Sequence, residues 1–148
     1  MNENCEICKR VSIIDPLVVY EDKNVIAKLS VNQISLGKTS VYYKKHVTSF
    51  TQLSIEERAS LMESVTKVGR LLEKSLKPDH MNYSLLGNYF PHLHWHLIPR
   101  YENKSKDHFF FGTGLEPCHM GREIKGRYEV NKTDLIKLVE MIKNTSLE

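Results

Sequence analysis

Five short segments rich in apolar and β-branched residues, each bounded by polar or turn-forming residues, are typical of β-strands. They span residues 17–20, 24–29, 38–43, 81–86 and 92–98. The first two are joined by the turn Glu21-Asp22-Lys23, so they are expected to pair as a hairpin. The fifth alternates strictly between polar and apolar positions, which is the two-residue period of a strand.

Between the third and fourth strands, the apolar residues recur at the spacing of a helix. Ser54 followed by Glu57 is a capping-box signature, and Pro78 marks the end of this helix. A second helix is predicted over 133–143 by its apolar positions, whereas residues 106–128 match no clear pattern. The apolar stripe of the first helix comprises Leu61, Val65, Val68 and Leu72, widened by Met62, Gly69 and Leu76.

This order of elements predicts an α+β fold. Strands come first, followed by one long helix and then further strands, which is typical of helices packed on an antiparallel sheet. We expect a sheet of about five strands, with the long helix packed on it and a helix near the C-terminus. A chain of 148 residues fits a single domain over 1–148.

Three histidines occupy alternate positions of the fifth strand: His92, His94 and His96. In an extended strand their imidazoles would share one face, with the intervening large apolar residues on the other. A helix would pair only the first and third, and Pro91 and Pro99 oppose a helix here. A solvated strand face holding three of the chain's 7 histidines by chance is improbable.

The pair Cys5-x-x-Cys8 has the spacing of half a tetrahedral zinc site. A second such pair is absent, because Cys118 stands alone, so histidines would complete the site; His46 and His92 are the candidates. A redox pair or two incidental thiols are the alternatives. A further alternative is that the three alternating histidines together bind one catalytic metal.

Composition narrows the classes of partner. The net charge is +3 and the basic residues are scattered, so nucleic-acid binding is not expected. The sequence has no apolar run of membrane-spanning length, and MNENCEICKR lacks the apolar core of a signal peptide. A cytoplasmic protein without a membrane partner is expected, with cysteines as thiols or metal ligands.

The segment 92–98, His-Leu-His-Trp-His-Leu-Ile, resembles the motif of the histidine triad (HIT) family. The resemblance extends to Val19-Tyr20-Glu21-Asp22, to the strand from Gly37 to His46 and to Pro99-Arg100. It covers residues 5–101 and leaves 102–148 as a C-terminal extension. The family resemblance implies a HIT-like fold.

The N-terminal Cys-x-x-Cys resembles that of zinc-containing bacterial members of the family. Their ligands are two cysteines, the histidine that ends the third strand and the first triad histidine. The resemblance therefore implies a structural zinc ion bound by Cys5, Cys8, His46 and His92.

The resemblance also implies chemistry at the α-phosphate of a nucleotide. His94 would attack phosphorus and form a covalent nucleotidyl-histidine, and His96 would donate a hydrogen bond to the phosphate or leaving group. The implied substrates are dinucleoside polyphosphates or nucleoside phosphoramidates, and the implied enzyme is a hydrolase or nucleotidyltransferase. A non-catalytic nucleotide-binding or interaction module with the same fold is the alternative. Members of the family are usually homodimers, so a homodimer is expected.

The nucleotide contacts depart from the family pattern. Asn88 stands where members often have glutamine, and Tyr89 replaces a serine or threonine. The ribose-binding position of the second strand aligns near Ser30 or Asn32. Arg100, directly after the triad strand, is the basic residue best placed to contact phosphate. These changes predict an altered nucleotide site with Asn88, Ser30, Asn32 and Arg100 as substrate contacts.

Overall fold

The computed structural model of the protein describes residues 2–87, 89–101 and 130–147. Three helices are described: α1 (Glu6–Val11), α2 (Ile55–Leu76) and α3 (Lys132–Lys143). A 3-10 turn, Phe50–Gln52, precedes α2. The strands are β1 (Val18–Glu21), β2 (Val25–Leu29), β3 (Thr39–Tyr43), β4 (His80–Leu85) and β5 (His94–Arg100).

The five strands form one sheet in the order β1-β2-β3-β5-β4, and each neighbouring pair is antiparallel. Because α2 connects β3 to the edge strand β4, the chain returns through β5 into the gap between them. The triad strand is therefore an interior strand, paired on both sides. The predicted α+β class and the five-stranded antiparallel sheet are confirmed.

One face of the sheet carries the hydrophobic core, and α2 and α3 pack on it. Trp95 and Leu97 of β5 point into this core, and the Trp95 ring meets Phe50 edge-on at 5.9 Å. The opposite face of β5 is thus left to the alternating histidines. The helix α3 belongs to the same core, so residues 132–143 of the C-terminal extension pack on the sheet.

The helix α2 begins and ends as its sequence predicts. The Ser54 hydroxyl accepts a hydrogen bond from the backbone N–H of Glu57, and the Glu57 carboxylate accepts one from the backbone N–H of Ser54. The helix ends at Leu76 and is followed by the C-cap residue Lys77, which adopts a left-handed conformation with φ 48°. Met62 departs from the predicted apolar stripe, because its side chain is 39% exposed rather than packed.

Two differences from the sequence prediction concern the candidate site. The helix α1 was not predicted, and it includes Cys8 with Cys5 at its N-cap position. The strand β5 begins at His94 rather than at His92, so the first triad histidine lies before the paired strand. The unassigned segment 106–128 lies outside the described residues. Within the part of the chain that the structure describes, no helix has both the length and the apolar character to cross a membrane.

Candidate functional site

The face of the sheet opposite the core carries a set of polar and aromatic side chains. The register pairs Tyr42 of β3 with His94, and it pairs Ser40 with both His96 and Lys28 of β2. Neighbouring strands lie about 4.8 Å apart, so these side chains form two adjacent rows across β2, β3 and β5. The strand period predicted from the sequence therefore places His94 and His96 on one face.

The His94 ring is held by one hydrogen bond and one ring contact. Its Nδ1 lies 2.7 Å from the backbone carbonyl oxygen of His92, and the ring stacks on Tyr42 with centroids 5.8 Å apart. A carbonyl only accepts hydrogen bonds, so Nδ1 carries the proton and the lone pair of the neutral ring is on Nε2. Nε2 is the atom that a nucleophilic role requires to be unprotonated.

His96 lies beside this ring. The centroids of the His94 and His96 rings are 4.9 Å apart in an edge-on arrangement, and His96 Nδ1 lies 3.4 Å from the Ser40 hydroxyl. His94 is buried, whereas His96 is half-buried. The two imidazoles are thus close enough to contact the same small group, such as a phosphate.

Cys5, Cys8, His46 and His92 form a compact cluster whose candidate ligand atoms all lie within 4.8 Å of one another. Nδ1 of His92 is 3.4 Å from Cys5 Sγ, 3.6 Å from Cys8 Sγ and 3.3 Å from Nδ1 of His46. Nδ1 of His46 is 3.4 Å from Cys8 Sγ. Residues from three separate parts of the sequence therefore present two sulfur and two nitrogen atoms to one point.

These distances fit a tetrahedral metal ion. With zinc bonds of about 2.0–2.1 Å to nitrogen and about 2.3 Å to sulfur, tetrahedral ligand atoms lie about 3.3–3.8 Å apart. The four separations above, 3.3–3.6 Å, fall within that range. Two cysteines and two histidines also form a donor set typical of structural zinc sites.

The protonation of the cluster supports the same conclusion. Nε2 of His92 donates to the Tyr43 carbonyl at 2.7 Å, which turns the lone pair of Nδ1 toward the cluster. Burial lowers the pKa of His92, so its neutral, metal-binding form is favoured. Burial raises the pKa of the Cys8 thiol, and a bound cation would reverse that effect by stabilising the thiolate.

His92 links the cluster to His94, the candidate nucleophile. Its ring belongs to the cluster, while its backbone carbonyl accepts the hydrogen bond from His94. Within the described residues the three triad histidines do not converge as ligands of a single ion. Instead, His92 belongs to the cluster of cysteines and histidines, whereas His94 and His96 line a cavity.

A cavity of about 420 Å³ lies over the two rows of side chains. Its floor includes His94, His96, Ser40 and Tyr42, and Phe90 with residues of α1 forms one wall. The cavity is large enough for a nucleotide, since small-molecule sites typically measure about 300–1,000 Å³.

The structure brings some of the predicted substrate contacts to this cavity. Ser30 and Asn32 both line it. Arg100 does not, because it lies four residues beyond His96 along β5, about 13 Å away, where it pairs with the edge strand. Asn88 lies outside the described residues.

Several cavity residues were not singled out from the sequence. Ile7 and Arg10 reach the cavity only because α1 packs against Tyr42 and Phe90, a contact that no local pattern indicates. Lys28 did leave a signal, because it interrupts an otherwise apolar strand, Val-Ile-Ala-Lys-Leu. A charged residue inside a buried strand requires a partner or a function.

A family model described as "HIT domain" matches residues 12–103, which is more than half of the chain. The chain belongs to the HIT family. The resemblance seen in the sequence is thereby confirmed at the level of the family.

Relatives and solved structures agree with this assignment. An uncharacterized HIT-like protein of Methanocaldococcus jannaschii is 34% identical over 107 residues, covering 69% of this chain and 83% of the relative. Protein hit of Bacillus subtilis is 31% identical over 105 residues, covering 67% and 72%.

Among solved structures, a hypothetical histidine triad nucleotide-binding protein from Sulfolobus tokodaii aligns with a TM-score of 0.71 and 26% identity, covering 94% of this chain and 89% of that one. A zinc-bound histidine triad family protein from Mycobacterium smegmatis aligns with a TM-score of 0.66 and 20% identity, covering 95% and 93%. The second match concerns the fold alone.

Proposed function

We propose that this HIT protein is a nucleotide hydrolase or nucleotidyltransferase that acts through a covalent nucleotidyl-His94 intermediate. The hydrogen bond from His94 Nδ1 to the His92 carbonyl carries the proposal, because it leaves Nε2 unprotonated at the floor of a nucleotide-sized cavity. Dinucleoside polyphosphates and nucleoside phosphoramidates are the proposed substrate classes. Ser30 and Asn32 are the proposed substrate contacts within the described residues.

The reaction has two steps. Nε2 of His94 attacks the α-phosphorus, a nitrogen–phosphorus bond forms, and the bond to the leaving phosphate or amine breaks with its electron pair on the leaving group, an amine taking up a proton from solvent as it leaves. Water or another acceptor then attacks the same phosphorus and loses a proton to solvent, while the nitrogen–phosphorus bond breaks with its electron pair returning to Nε2 of His94 and the nucleotide is released. His96 donates a hydrogen bond to the phosphoryl oxygens or the leaving group, since such reactions depend on positioning and electrostatic stabilisation, and the second step depends on this hydrogen bond more than the first.

Zinc is the proposed occupant of the Cys5, Cys8, His46 and His92 cluster. Bound there, it would contribute structure rather than acid–base chemistry, because all four positions are filled by protein ligands. Its effect on the reaction would pass through His92, whose carbonyl orients His94. A homodimer in the cytoplasm remains the expectation for the whole protein.

Turnover of a substrate panel by wild type and by His94→Ala tests this function. The panel contains adenosine and guanosine polyphosphates and the corresponding phosphoramidates. Wild type is expected to hydrolyse at least one of them. His94→Ala is expected to lose at least a thousandfold in kcat, because no other group replaces the nucleophile, and to retain most of its nucleotide affinity. His80→Ala, at an exposed position on the edge strand, is the matched control. Comparable turnover by the His94 variant would reject the nucleophile.

A further inference from the structure

Lys28 is a buried lysine at the floor of the cavity. It is 6% exposed and lies on the face of β2 opposite the core, in the same row as Ser40 and His96. Buried lysines are uncommon because removing an ammonium from water is costly unless partners compensate. The environment of this side chain therefore indicates what it can recognise.

Two acceptors hold the ammonium. Nζ donates to the carbonyl oxygen of Arg10 at 2.5 Å and pairs with Asp15 Oδ2 at 3.3 Å. Asp15 is itself fixed, because its Oδ1 accepts the backbone N–H of Leu17 at 2.9 Å. An ammonium has three N–H donors, and the described residues supply acceptors for two of them. The third is available to a molecule in the cavity that Lys28 lines.

The position of Lys28 in the cavity corresponds to the base end of the proposed nucleotide. Ser40 separates it from His96, so their Cα atoms are two strand spacings apart, about 10 Å. Exposed apolar residues line the same cavity, among them Ile13 and Val31, and they suit a planar base better than a phosphate. With the α-phosphate at His94, a base in this apolar part of the cavity would lie beside β2.

The charge around Lys28 favours a base, rather than a second phosphate, as the group that it contacts. Because Asp15 neutralises the ammonium, the pair itself does not offer the net positive charge that attracts a phosphate, and the Arg10 guanidinium that also lines the cavity lies over the Phe90 ring, 5.3 Å from its centroid. It does offer a strong hydrogen-bond donor in a buried place. A carbonyl oxygen satisfies that donor, whereas an amino group at the same ring position would set donor against donor and leave the N–H unpaired.

We infer that Lys28 is a specificity-determining residue that donates a hydrogen bond to a base carbonyl. The preferred substrates then carry an oxo base, a 6-oxopurine or a 4-oxopyrimidine, rather than the amino counterpart. This inference rests on the proposed function, since it takes the α-phosphate to lie at His94.

Calorimetric binding of four nucleoside monophosphates tests the inference. IMP and AMP differ at purine position 6, and UMP and CMP differ at pyrimidine position 4. Wild type is expected to bind the oxo member of at least one pair at least about tenfold more tightly, as a hydrogen bond to a charged group predicts. Lys28→Met, which keeps side-chain length but removes the donors, is expected to bring the ratio close to one. Lys23→Met, at an exposed turn position, is the control and should keep the wild-type ratio.

The ratio within each protein is the decisive quantity, because incomplete folding lowers both affinities of a pair equally. A wild-type ratio near one for both pairs overturns the inference even if Lys28→Met does not fold. A preference that survives in folded Lys28→Met overturns it as well. If wild type binds none of the four nucleotides, the proposed nucleotide function itself fails. Equal binding of oxo and amino members rejects only the role of Lys28.

Discussion

At the scale of single residues, the ring and the carbonyl of His92 belong to two different groups of interacting atoms. Its ring completes the cysteine and histidine cluster, and its carbonyl fixes the tautomer of His94. The three alternating histidines are therefore not equivalent, although their spacing in the sequence is uniform. The resemblance to the family predicted this division, whereas the strand period alone left the three imidazoles alike.

Two glycines with positive φ provide a residue-scale prediction for stability. A Cβ at Gly37 (φ 87°) would lie 2.1 Å from Leu76 Cδ1, whereas one at Gly87 (φ 77°) meets nothing within 4 Å. Gly87→Ala should therefore lose only about 1–2 kcal/mol of unfolding free energy through backbone strain. Gly37→Ala should lose about 2–4 kcal/mol, because overpacking is added.

Urea unfolding of the two glycine variants measures this difference. The Gly37 variant is expected to be the less stable of the two. Equal losses would mean that Leu76 moves aside without cost, and the predicted packing contribution would be wrong.

At the scale of elements, the long helix and the strands were predictable because their patterns extend over several periods. The helix α1 was not, since six residues are too few to show a helical stripe and its packing depends on Tyr42 and Phe90. The sequence pattern predicts the start of β5 two residues early for a related reason. His92 continues the alternation of the sequence, but its ring and backbone bind groups outside the sheet ladder.

The turn between β1 and β2 provides a prediction about pH. Asp22 accepts backbone hydrogen bonds from Asn24 at 2.7 Å and Val25 at 2.9 Å, and a hydroxyl hydrogen bond from Tyr20 at 2.9 Å. Burial alone would raise the pKa of Asp22, but its hydrogen bonds outweigh that effect and the pKa is lowered. The carboxylate therefore stabilises the fold above its ordinary pKa of 3.8, and this contribution is lost as the pH falls through its folded value.

Asp22→Asn removes the charge but preserves the shape of the side chain. It should cost about 1–2 kcal/mol of unfolding free energy at pH 7, and the difference from wild type should shrink below pH 3.8. Denaturant unfolding at neutral and acid pH measures both values, with Glu3→Gln at an exposed position as the control. A difference that stays constant with pH would contradict the role of the charge.

At the scale of the whole molecule, the cluster fastens the N-terminal helix to the sheet. Cys5 and Cys8 meet His46 and His92 in this cluster, so α1 lies against the sheet and forms a wall of the cavity. The cluster members were predictable from the Cys-x-x-Cys spacing and the family resemblance. The walls of the cavity were not, because they arise from contacts between residues far apart in the sequence.

Metal content tests this arrangement. Wild type is expected to bind one zinc ion per chain, and a chelator is expected to lower its Tm because binding to the native state stabilises it. Acidification should release the ion, since its ligands must be deprotonated. Cys5→Ser/Cys8→Ser should lose the ion, whereas Cys118→Ser should keep it. Full occupancy in the double variant, measured by elemental analysis, would reject the proposed ligand set.

The covalent intermediate is the central claim, and its capture is the most direct test. His96→Ala protein, in which the second step is slowed, is mixed with a dinucleoside polyphosphate and quenched in alkaline denaturant, which preserves nitrogen–phosphorus bonds. Mass spectrometry should find one nucleoside monophosphate unit on the peptide containing His94, at a lower level in wild type and absent from His94→Ala. An adduct at any other residue, or turnover with no adduct in His96→Ala and undiminished by His94→Ala, would contradict the account.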